Sequence, residues 1–153
     1  MNLDDIFLPG GALSNALDSY AFRDSQLEMA YLIDEGFENS KHIVVEAGTG
    51  IGKSFAYLAP AFKLCAEHPE KKVVIATSTI TLERQLYDKD IPLMQKALSM
   101  EIPTAILFGR NNYLCRRRYI ESYMERALLT QSEDIPEAKL DQWVKTTESG
   151  CKV

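Results

Sequence analysis

The run Glu46-Ala47-Gly48-Thr49-Gly50-Ile51-Gly52-Lys53-Ser54 puts glycines, a lysine and a hydroxyl where a phosphate group could be held. Glycine reaches positive φ without steric cost, so backbone N–H groups can turn inward. Inward N–H groups form an anion nest, and a following helix adds its dipole. In such a loop Lys53 supplies the cation for β- and γ-phosphates and Ser54 a hydroxyl for Mg²⁺, which makes these two the candidate catalytic residues. Ala47, Gly48, Thr49, Gly50, Ile51 and Gly52 supply the cradle. The strict pattern has glycine where Ala47 stands, and alanine is small enough for the loop to form. The plain alternative is a glycine-rich turn with a chance lysine. A strand before, a helix after and Lys-Ser in register weigh against it.

The elements around the loop support that context. His42 to Glu46 is a β-branched run and reads as a buried strand, and the loop opens a helix over Gly52 to Cys65. Val73 to Thr77 and Thr104 to Phe108 read as second and third strands. Upstream, Asp24 to Phe37 has helical apolar spacing. Ser78 or Thr79 caps a helix, and Asp90 and Pro92 interrupt and restart it, because proline suits a first turn but not an interior. Pro9-Gly10-Gly11 marks a turn before a short amphipathic stretch around Leu13 and Leu17.

Strands alternating with helices predict an α/β fold with a parallel sheet. The character changes after Gly109. Residues 113–129 read as a helix with a basic start, 130–137 as a polar loop, and 136–146 as a short helix holding Trp143. The expected organisation is a phosphate-loop domain over 1–109, without its full sheet, and the start of a helical insertion over 110–153.

The 153 residues are 46% hydrophobic and 25% charged, ordinary for one globular domain. A net charge of −5 confines any nucleic-acid contact to a local groove. The longest apolar run, Phe55 to Phe62, is far short of the roughly 20 residues of a membrane span. The amino terminus lacks a basic, apolar leader. These features predict a soluble, cytoplasmic chain with no membrane partner. Three cysteines, an odd number, argue against a disulfide framework.

The phosphate loop and the following Phe55-Ala56-Tyr57-Leu58-Ala59-Pro60-Ala61 resemble the first motif of superfamily 2 helicases of the DinG and XPD type. Tyr20 to Ala30 resembles the stretch carrying that family's adenine-sensing glutamine. Val73 to Leu86 resembles its DNA-contacting motif Ia, and Gly109 to Cys115 the sequence around the first cysteine of its iron–sulfur domain. The resemblance covers roughly residues 20–118 with the motifs in the family's order.

The resemblance implies a RecA-like fold, ATP and Mg²⁺ as ligands, and 5′→3′ movement on single-stranded or forked DNA in repair. It gives Gln26 the adenine edge, with Arg23 supporting; an amide can donate and accept toward the base. The bland reading of Gln26 is a solvated residue in a helix's first turn. The resemblance gives Thr77, Ser78 and Thr79 the DNA backbone, and places Arg116 and Arg117 near it. Cys115 becomes one thiolate of a [4Fe–4S] cluster. Cys151 departs from the family's pattern, and Cys65 reads as core.

No apolar run ends in Asp-Glu to hold Mg²⁺ and orient water; Lys89-Asp90 and Glu133-Asp134 stand in the wrong context. The expected chain is therefore an amino-terminal piece that binds ATP phosphates and lacks turnover, its carboxyl-terminal remainder being a partner. Two other readings stay open: a phosphate-loop nucleotide kinase, and a non-catalytic nucleotide-binding module. The kinase expects glycine at 47 and leaves Gln26 unexplained.

Overall fold

The computed structural model describes residues 1–129 and 139–153. They fall into two compact units, Met1–Ile106 and Leu107–Val153.

The first unit is helical where the sequence is amphipathic. Helices α1 (Asp4–Phe7) and α2 (Ala12–Ala16) are short, and their Leu3, Ile6, Phe7 and Leu13 are buried. Helix α3 (Asp24–Glu38) packs on α4 (Lys53–Glu67). The core is formed by these amino-terminal residues with Ala30, Ala56, Leu58, Ala59, Phe62, Leu86 and Met94. Burying a leucine- or phenylalanine-sized side chain contributes about 1.5–3 kcal/mol, so this cluster dominates the unit's stability. Two tyrosines tie the amino terminus down, Tyr20 Oη donating to the Phe7 carbonyl at 2.7 Å and Tyr31 Oη to Asp4 Oδ1 at 2.7 Å. Burial raises the Tyr20 phenol pKa, and Arg23 lowers it in part.

One expectation changes here. The helix after Thr79 does not break at Asp90. Helix α5 (Ile80–Gln85) runs through a π turn (Leu86–Asp90) into α6 (Ile91–Leu98). Proline at 92 has no N–H and would crowd the carbonyl four residues back. The wider turn, in which Ile91 N donates to the Leu86 carbonyl, absorbs it without a break. The runs 42–46, 73–77 and 104–108 form no ladder among the described residues. Val44 is 98% exposed, Val74 88% and Leu107 81%. A parallel sheet requires cover on both faces, and these side chains have none.

Near the start of the second unit Phe108 is buried, and its N–H donates to Tyr113 Oη at 3.1 Å. A 3₁₀ turn (Arg110–Asn112) follows. Tyr113, expected to open a helix, instead pairs antiparallel with Cys151. Leu114 N donates to the Gly150 carbonyl at 2.8 Å and Lys152 N to the Asn112 carbonyl at 2.9 Å. Helix α7 (Arg116–Leu129) therefore starts later than the sequence suggests. Helix α8 (Lys139–Thr146) holds Trp143, while its expected start at 136 and the polar loop before it lie outside the described residues. Tyr119 Oη donates to Asp141 Oδ1 at 2.9 Å, and Asp141 is buried. No helix among the described residues is long and apolar enough to cross a membrane.

Candidate functional site

The loop's geometry follows from its glycines. Gly50 and Gly52 take φ of +81° and +82°, the left-handed region that other residues rarely enter. A Cβ added at Gly48 or Gly50 would meet open space, so the loop's outer side is clear. Gly52 is the last residue before α4, and its carbonyl accepts from Phe55 N at 3.1 Å and Ala56 N at 3.3 Å. Amides in the first turn of a helix have no intrahelical acceptor and face an approaching anion.

Lys53 is half-buried and folded back on the loop. Its Nζ donates to the Ala47 carbonyl at 2.8 Å and the Gly48 carbonyl at 2.7 Å. The ammonium thus closes the loop on itself, at the position from which it could reach a phosphate. Ser54 and Tyr57 lie one turn apart on α4. Burial raises the Tyr57 pKa, and the Ser54 hydroxyl lowers it in part. Sequence reasoning passed over Tyr57. Its signal was the three-residue spacing from Ser54, which puts both on one helix face.

Gln26 is not the solvated residue of the bland reading. It is 1% exposed and its Nε2 donates to the Gly52 carbonyl at 2.8 Å. The structure therefore brings Gln26 to the phosphate loop. Arg23, at the amino-terminal cap of α3, is exposed.

At the start of α5, Thr79 Oγ1 accepts from Leu82 N at 3.3 Å, so Thr79 is the cap. Thr77 Oγ1 donates to the Thr79 carbonyl at 3.0 Å, and Ser78 is exposed. In the second unit Arg116 and Arg117 are exposed, Arg117 lying 3.5 Å from Glu121.

Cys115 is exposed, whereas Cys65 and Cys151 are half-buried, and all three are free. A [4Fe–4S] cubane takes four thiolates. The chain has three cysteines, one short of that set. Among the described residues no three His, Cys, Asp or Glu side chains converge as a metal site.

A shallow concavity of about 620 Å³ lies along α3, lined by Asp24, Glu28, Tyr31, Glu35 and neighbours, none of them in the loop. Its carboxylates would repel a polyphosphate, so the loop remains the better candidate.

Residues 23–135 match the DEAD/DEAH box helicase family. The chain is 38% identical to the ATP-dependent DNA helicase YoaA of Haemophilus influenzae, over 95% of this chain and 22% of that protein. It is 38% identical to the ATP-dependent helicase DinG of Mycobacterium tuberculosis, over 84% of this chain and 22% of the relative. It is 34% identical to the 3′-5′ exonuclease DinG of Bacillus subtilis, over 91% of this chain and 15% of that protein. The chain thus spans about a fifth or less of the curated relatives it matches. No solved structure gives a significant match.

Proposed function

Because the chain belongs to the DEAD/DEAH box helicase family, we propose that it supplies the ATP-phosphate loop of a DinG- or YoaA-like ATP-dependent DNA helicase. The observation that carries the reading is Lys53 and Ser54 at the head of α4, behind two left-handed glycines, inside the matched region. The family implies a RecA-like fold. In that fold the runs at 42–46, 73–77 and 104–108 become parallel strands, and the exposed Val44, Val74 and Leu107 gain cover from further elements of a longer protein.

Lys53 leaves the Ala47 and Gly48 carbonyls and meets the β- and γ-phosphates. Ser54 would hold Mg²⁺ through its hydroxyl, and the ion would supply charge neutralisation at the phosphates. The first amides of α4 and the loop donate to phosphate oxygens. Gln26 and Arg23 lie toward the base. The carboxylate that orients the attacking water comes from elsewhere in the longer protein, so this chain binds ATP without turning it over. Thr77, Ser78 and Thr79, with Arg116 and Arg117, contact the backbone of single-stranded or forked DNA, along which the whole protein moves 5′→3′ in a cytoplasmic repair role. Cys115 is read, on resemblance alone, as one thiolate of a cluster completed outside this chain.

The test is ATP affinity by equilibrium titration with Mg²⁺. Lys53→Ala removes charge-assisted bonds, which contribute about 1.5–3 kcal/mol each, and should weaken ATP at least about tenfold with an unchanged melting curve. In the whole protein the same substitution should abolish DNA-stimulated ATP hydrolysis. Undiminished affinity and turnover would remove Lys53 from the site.

A further inference from the structure

We infer that Gln26 is a positioning residue of the phosphate loop: its carboxamide braces Gly52, so that affinity for the polyphosphate itself depends on it. This rests on the phosphate-loop reading above and gives Gln26 a task apart from choosing a base.

The observations converge on one point of the backbone. Gln26 Nε2 donates to the Gly52 carbonyl at 2.8 Å. That carbonyl also accepts the first two bonds of α4, from Phe55 and Ala56. The side chain therefore grips the hinge between loop and helix. Gly52 sits at φ +82°, and a Cβ built there would run into the Gln26 amide nitrogen, with Cδ next at 3.1 Å. The carboxamide thus occupies the space that a side chain at 52 would need. Its platform is fixed, because Lys63 of α4 reaches back to Asp34 at 2.6 Å and Glu38 at 3.1 Å on α3.

Base reading alone does not account for this arrangement. An amide that reads adenine offers both its donor and its acceptor to the base. Here the nitrogen is committed to Gly52, and Oε1 is buried with no hydrogen-bond partner. A buried acceptor left unmet is costly. What the side chain does in this position is done by its nitrogen: it holds Gly52 left-handed and keeps the first amides of α4 aimed. A loop held in its binding conformation loses less freedom when the anion arrives, which is how preorganisation strengthens binding.

The experiment uses inorganic tripolyphosphate with Mg²⁺, a probe with no base, titrated calorimetrically into the full chain. Wild type is compared with Gln26→Leu, which keeps the bulk, and Gln26→Glu, which keeps the shape but points a carboxylate at a carbonyl. Melting curves are recorded for each. Both variants should bind tripolyphosphate about 5- to 30-fold more weakly, the factor for one or two kcal/mol, and ATP and GTP should weaken equally. Wild-type tripolyphosphate affinity in folded variants, with only the ATP-to-GTP ratio changed, would overturn the inference and leave Gln26 a base reader.

If Gln26→Leu melts below the assay temperature, Gln26→Glu alone decides. Protonating the glutamate restores a donor toward Gly52, and burial raises the pKa of such a carboxyl, so its affinity relative to wild type should recover as the pH falls. A ratio flat with pH would count against the brace. A wild-type chain that fails to bind tripolyphosphate would overturn the phosphate-loop reading, and this inference with it.

Discussion

The phosphate loop and the basic segment around Cys115 carry equally suggestive residues, yet the structure treats them differently. At the loop the key polar groups are engaged from inside the chain: Lys53 by two carbonyls and Gln26 by Gly52. In the basic segment Cys115, Arg116, Arg117 and Arg118 are all exposed, and Arg117 has a surface ion pair with Glu121. A side chain held by its own fold shapes what surrounds it, so replacing it changes geometry. An exposed cation shapes little, so replacing it changes charge alone. The two regions should therefore respond to mutation in different kinds of measurement.

The largest effect is expected at Gly52. Gly52→Ala places a Cβ against the Gln26 carboxamide and forces alanine into left-handed backbone, which costs about 1–2 kcal/mol before any clash. Tripolyphosphate binding should fall below detection. In a Gln26→Ala background the clash is relieved, so the added cost of Gly52→Ala should shrink by about 0.5–3 kcal/mol, the usual coupling between touching residues. Strictly additive losses, read from a double-mutant cycle, would show that the two do not press on each other. The equivalent cycle between Arg117 and Glu121 should show almost no coupling.

The platform under the loop should respond next. Lys63 is largely buried between Asp34 and Glu38, and its bond to Asp34 is the main cause raising its pKa above the usual 10.5. Lys63→Met should lower stability by about 1.5–3 kcal/mol, the range for hydrogen bonds to charged groups. The sign with pH follows from linkage. A raised lysine pKa gives stability that is fully present below the unfolded value and is lost as pH rises through the folded one. Urea melts should show a constant gap between wild type and variant from neutral pH up to about 10, closing above it. A gap that widened at alkaline pH would contradict the ion pair.

What could be read from the sequence divides along the same line. The loop was legible because its residues are contiguous and its physics is local: glycines, a lysine and a helix start within one short run. Helices α3 and α4 were legible from apolar period. The burial of Gln26 was not, because the group that buries it, Gly52, lies 26 residues away. Tyr113 was misread for the same reason, since its partner is Cys151 on a distant segment. Pro92 was given its usual meaning as a breaker, and a π turn let the helix pass. The three β-branched runs have the composition of buried strands. A strand is defined by its neighbour, and among the described residues these runs pair with none, leaving Val44, Val74 and Leu107 exposed.

The smallest effect, and the one that sharpens the contrast most, is expected at Arg117. Its pair with Glu121 is exposed on both sides, at helix spacing, and such pairs contribute about 0.3–0.5 kcal/mol. Arg117→Gln should leave melting curves and ATP affinity within error of wild type. Its effect should appear only with single-stranded DNA, and only as a salt dependence. Each phosphate neutralised by a cation releases counterions, adding about 0.7 to the slope of log affinity against log salt for a single strand. If Arg117 grips one phosphate in the whole protein, the variant's slope should be shallower by about that amount, with affinity lowered at low salt and converging on wild type at high salt. Arg116→Gln should add a similar decrement, and the double variant should be additive, because exposed cations act through charge and not through a shared geometry. An unchanged slope would make the arginines an ordinary solvated helix face. A loss of ATP affinity would mean that the two regions are coupled after all.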